Sequence, residues 1–124
     1  MEKFIDVKNK VNVLKNILEI IKENNCKMVL EYEEKYFQNM TKENIMEIEM
    51  EKSAVYNYDK EYILKTFEIK DINYYFISTL FAYVSTLSVF ENDRMVVLIA
   101  DNFHKHCFSC SNEFYEKYSS KLNE

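Results

Sequence analysis

Over residues 3–24, Phe4, Val7, Val11, Leu14, Leu18 and Ile21 recur at alternating three- and four-residue steps, with Lys and Asn between them. That spacing puts the apolar residues on one face of a helix covering a core. The Asn24-Asn25 pair is its expected terminator. Over residues 26–40, Met28, Tyr32, Tyr36 and Met40 follow at strict four-residue steps, which predicts a second amphipathic helix. The next stretch, residues 41–55, gives mixed signals. Thr41 suits a helix cap, yet Met46, Ile48 and Met50 alternate with Glu47, Glu49 and Glu51 in a strand period. It is expected to form a short helix or an irregular connection. Tyr62, Ile63, Thr66 and Phe67 predict another short helix over residues 59–69.

Residues 72–90 carry no charge, and Asp71 is positioned to cap a helix there. The run is long enough to span a bilayer. It contains Asn73 and several Ser and Thr residues, however, and it lacks basic anchors at its ends. A buried core helix is the better reading. Asn92 or Asp93 then begins a helix through Met95, Leu98, Ile99 and Phe103, and Phe114, Tyr115, Tyr118 and Leu122 predict a last one. The expected fold is all-α: one domain over residues 1–124, with six or seven helices bundled around a buried central helix.

Composition sharpens this picture. In 124 residues there is no Gly and no Pro. Phosphate-cradling loops need Gly for close backbone approach, and two-residue hairpin turns lose their favoured residue, so an all-β fold is disfavoured. A net charge of −5, with Arg94 as the lone arginine, argues against nucleic acid as a partner. Three cysteines, Cys26, Cys107 and Cys110, make no secreted disulfide framework and favour a reducing compartment. The opening MEKFIDVKNK has no apolar leader segment.

The string HKHCFSC gathers His104, His106, Cys107 and Cys110, which are zinc-ligand types, but a second half-site is missing and no metal is expected. The acidic runs around Glu31–Glu34 and Glu47–Glu51 fit solvated faces better than paired catalytic carboxylates. No enzyme chemistry and no cofactor are expected. An aromatic constellation stands out instead. Tyr32, Tyr36 and Met40 share one segment, Ile63 and Phe67 another, and Tyr74, Tyr75, Phe76 and Tyr83 lie on the central run. Such a set suits a groove for an amphipathic helix, since a Tyr ring is apolar while its hydroxyl tolerates water.

The string DINYYFISTLFAYVSTLSV resembles the first homology region of Bcl-2-family proteins, with Asn73 matching the Asn, Tyr74 the Trp, Tyr75 the Gly and Phe76 the Arg of its core motif. MVLEYEEKYFQNM is similar to the family's groove-forming helix through Tyr32, Tyr36 and Met40, and NDRMVVLIADNFHKHCF to the helix antiparallel to the central one. Loss of Gly, Arg and Trp, with a composition rich in Lys, Asn and Ile, is similar to divergent viral homologues of poxvirus type. The resemblance implies an apoptosis inhibitor in the host cytoplasm or at the periphery of mitochondria. It would sequester the death-motif (Bcl-2 homology region three) helices of host pro-apoptotic proteins. The implied groove uses Tyr32, Tyr36, Met40, Ile63, Phe67, Asn73, Phe76, Thr79 and Tyr83. With Phe76 in place of Arg, the groove either binds by apolar contact or is closed. A closed groove implies instead an inhibitor of innate immune (NF-kappa-B-type) signalling through flat surfaces or a homodimer. Neither reading involves an integral membrane segment.

Overall fold

The computed structural model describes the backbone of residues 1–57 and 60–124, and their side chains apart from Phe37 and residues 49–60. The chain runs β1 (Lys3–Phe4), α1 (Lys10–Glu23), β2 (Lys27–Glu33), β3 (Ile45–Asn57), β4 (Lys60–Ile69), α2 (Tyr74–Tyr83), β5 (Val84–Glu91), β6 (Arg94–Ile99), β7 (Phe108–Cys110) and α3 (Asn112–Leu122). Short 3-10 turns occupy Glu34–Asn39, Asp101–Phe103 and Lys105–Cys107. All seven strands join one sheet in the order β1-β7-β6-β5-β2-β4-β3, and each neighbouring pair is antiparallel. This corrects the expected all-α bundle. The architecture is an antiparallel sheet with helices on one face.

Side chains alternate across each strand, so each strand divides between two environments. Met28, Leu30 and Tyr32 of β2 are fully buried and share one core with Leu14, Ile17 and Leu18 of α1, Phe76 and Leu80 of α2, and Phe114 and Leu122 of α3. Each such aliphatic or aromatic side chain stabilises the fold by about 1.5–3 kcal/mol relative to exposure. Each helix begins on a side-chain cap. Asn9 Oδ1 accepts from the Asn12 N–H (3.1 Å), Asn73 Oδ1 from the Phe76 N–H (2.8 Å) and Ser111 Oγ from the Phe114 N–H (3.1 Å). Across the helical layer, Lys121 of α3 bridges to Glu19 of α1.

The last helix lies where its periodicity predicts, whereas the first begins only at Lys10, which leaves Phe4 in a strand and Val7 in the connection before the helix. Between them the expected helices become strands. Met28 and Tyr32 stand four residues apart, which fits two strand periods as well as one helical turn, and β2 alternates Met28, Leu30, Tyr32 inward with Val29, Glu31, Glu33 half-buried. The Met46-Ile48 alternation in residues 41–55 proves to be the informative signal, because the chain there is β3. The helix expected over residues 59–69 is β4, and its first residue lies outside the described ones. The uncharged run 72–90 divides into α2 and β5, so it is not the single central helix expected there. The change occurs at Val84 (φ −100°, ψ 126°), where β-branched and hydroxyl residues take over. The helix expected through Leu98 and Ile99 is β6.

Absence of Gly did not preclude hairpins. Asn92 and Asp93 link β5 to β6 with φ of 49° and 65°, the left-handed pair that a type I′ turn requires, and Asn25 takes φ 52° just after α1. At the end of that helix the Cys26 N–H donates to the Ile21 carbonyl (3.1 Å), which closes a Schellman-type cap. Three further left-handed residues, Asp101, Asn102 and Phe103, turn the chain after β6. Phe103 is held in place by its buried ring, edge-on to Phe81 at 5.1 Å.

Candidate binding surface

The residues expected to form a groove separate into three groups. Tyr32, Ile63, Phe67, Phe76 and Met40 are core or core-flanking, with Tyr32 and Ile63 side by side across the β2–β4 ladder. Burial, followed by the charges of Glu47 and Glu34, pushes the Tyr32 hydroxyl well above its ordinary pKa. Asn73 caps α2, and Thr79 Oγ1 donates to the Tyr75 carbonyl (2.9 Å), so both serve the helix itself. Tyr36 and Tyr83 do come together, with ring centroids 5.0 Å apart and planes tilted by 38°, and with Lys35 over the Tyr36 ring. Met40 and Phe67 line a shallow cleft of about 270 Å³ with Ile45 and Glu47. Lys65 reaches Glu47 at 3.5 Å. These places make a packed wall, not a single helix-lined channel.

His104 and His106 are both exposed, with ring centroids 5.3 Å apart, and His104 Nδ1 accepts from the His106 backbone N–H (3.2 Å). Among the described residues no three His, Cys, Asp or Glu side chains gather as a metal site would require. All three cysteines are free thiols: Cys26 and Cys110 are buried and Cys107 is half-buried. Burial pushes the Cys110 thiol up to about 11, and burial with nearby Glu91 raises Cys26. The thiolate is the reactive form. In native protein, therefore, iodoacetamide should modify Cys107 first, with Cys26 and Cys110 reacting only on unfolding. Mass spectrometry of the labelled peptides checks this, and early modification of Cys110 would contradict the burial.

The opposite face of the sheet has a different character. Phe4 pairs with Ser109, Ser109 with Leu98, Leu98 with Ser88, Ser88 with Val29, Val29 with Thr66 and Thr66 with Ile48. This row crosses all seven strands on the face away from the helices. None of its positions is charged, in a chain that is 30% charged. Antiparallel sheets that face water on one side usually show polar residues there. Here a bulky residue and a small hydroxyl residue alternate from strand to strand. The small ones form hollows: Ser88, Ser109 and Thr66 are 8%, 6% and 6% exposed, whereas Phe4 at the edge is 70% exposed. In the neighbouring row Lys27 pairs with Phe90 and Phe90 with Met95. A cleft of about 260 Å³ lies between the rows, lined by Lys27, Val29, Thr66, Phe90 and Asp93.

Sequence reasoning missed this surface, because its members come from seven separate places and only the strand register brings them together. The local signal was present in VSTLSVF, where Ser88 sits between Leu87 and Val89. Among the described residues no helix is long and apolar enough to cross a membrane. Comparison of the chain with protein-family models, curated proteins and solved structures returned no match.

Proposed function

We propose that this is a protein-binding domain that works by contact through the open face of its sheet and carries out no catalytic step. The observation behind this reading is the uncharged row from Phe4 to Ile48. A sheet face turned to water ordinarily carries charged and polar side chains, whereas this row alternates apolar residues with small hydroxyls and holds no charge, as a contact surface would. The groove implied by the Bcl-2 resemblance needs walls from helices, whereas Tyr32, Ile63 and Phe67 stand on strands. The proposal keeps recognition of an apolar partner surface and drops the death-motif ligand.

Photo-crosslinking tests the reading. A benzophenone amino acid placed at Leu98, in the cells that make the protein, should give a discrete adduct on irradiation. The same group at Glu116, exposed on α3, should give none. Equal labelling from both positions, or none from Leu98, would sink the proposal.

A further inference from the structure

We infer that the occupant of the open face is a second copy of this chain, packed sheet to sheet about a twofold axis that runs between β2 and β5. The inference rests on the reading of this face as the binding surface and names its partner.

A twofold interface must be self-complementary, since each residue meets its counterpart's neighbour and the reverse. The Phe4-to-Ile48 row meets that demand through its alternation. Reversing the strand order about an axis between two adjacent strands sets bulky positions against small ones, and about the axis chosen here only Phe4, on the edge strand, lies beyond the second copy's row. About the axis between β2 and β5, Val29 meets Ser88 of the second copy, Thr66 meets Leu98, and Ile48 meets Ser109. The cleft lined by Val29, Thr66 and Phe90 then receives Leu98 from the second copy.

Charges agree with the same placement. Lys27 faces the Phe90 ring, an arrangement suited to cation–π attraction. Glu31 faces Thr86, which can donate to it. No carboxylate in these rows meets another carboxylate. An axis lying on a strand would instead set bulky against bulky and small against small in turn.

Size agrees as well. The five longer strands present about three rows of outward side chains at about 4.8 Å strand spacing and β7 adds Ser109, which makes on the order of 500 Å² per copy. Two copies together reach about 1,000 Å², the range of weak, reversible interfaces. A dimer with micromolar dissociation is therefore expected, not an obligate one.

Sedimentation equilibrium of the full chain should show a dimer at about 100 µM and monomer on dilution. Ser88→Arg fills the hollow nearest the axis, and its dimer should be about a hundredfold weaker with an unchanged circular dichroism spectrum. Thr66 and Leu98 are on strands separated by two others, too far apart to bond within one copy, yet they face each other across the axis. Thr66→Cys/Leu98→Cys should therefore oxidise to a covalent dimer that wild type does not form, which keeps the test decisive if Ser88→Arg fails to fold. A wild type that stays monomeric at about 100 µM overturns the inference. So does a dimer that survives Ser88→Arg while the cysteine pair stays unlinked. Failure here alone leaves the protein-binding reading to the crosslinking test, where an adduct with a different protein would sustain it. An adduct at twice the 15.0 kDa chain mass would support both.

Discussion

Phe76→Ala is expected to lower stability by about 3–5 kcal/mol, a large part of the roughly 5–15 kcal/mol available to a small domain. The Phe76 ring is 0% exposed and packs where the first turn of α2 meets the sheet. Truncation there leaves a void bounded by helix and strands that cannot both close in. Its neighbour Tyr75 is 69% exposed, and Tyr75→Ala should change stability by no more than about 0.5 kcal/mol. Urea denaturation of the two variants decides between a core and a surface role. A groove at the start of this helix would require Phe76 to be accessible, and Phe76→Ala would then fold almost as well as wild type. If both variants unfold at the wild-type midpoint, the packing described for α2 is wrong.

The contrast between Tyr75 and Phe76 also shows where legibility ended. Within INYYFISTLFAY the helix itself was readable, but its start was placed at Asp71, whereas Asn73, two residues on, supplies the cap. Its end was not readable, since the absence of charge continues unbroken into β5 and hydropathy alone cannot mark a change of period. The four-residue spacing of Met28 and Tyr32 misled for a related reason: a multiple of two residues fits a strand as well as a helix turn. The argument from missing glycine failed on chemistry. Asn25, Asn92 and Asp93 accept left-handed backbone because a short polar side chain tolerates it, so a chain without glycine still closes its turns. In α1 and α3 the helical pattern is sustained beyond three turns with polar residues opposite, and there the sequence was a sufficient guide. The open face needed the register of six strand pairs, which no local window contains.

Stability should also fall steeply in alkali, and the order of the loss identifies its sources. Cys110 is 0% exposed in β7, and burial holds its thiol protonated up to about 11. Tyr32 is 0% exposed in β2 and is raised by burial and then by Glu47 and Glu34. In the unfolded chain these groups release protons near their ordinary values, about 8.5 for Cys and about 10 for Tyr. Above those values the unfolded state binds fewer protons than the folded one, so unfolding becomes easier as pH rises. The contribution is complete below about pH 8.5 and is lost as pH climbs through the folded values. Cys110 alone accounts for about 2–3 kcal/mol between roughly pH 9 and 11, and Tyr32 begins to add to it above about pH 10. Lys121, raised by its hydrogen bonds to Glu19 and Glu124, titrates in the same direction from the surface. Urea midpoints measured from neutral pH upward should stay level and then drop. Cys110→Ala should flatten the earlier part of the drop, and Tyr32→Phe the later part. A profile that remains level through pH 11, or falls equally in the double variant, would mean that neither group is held protonated by the core.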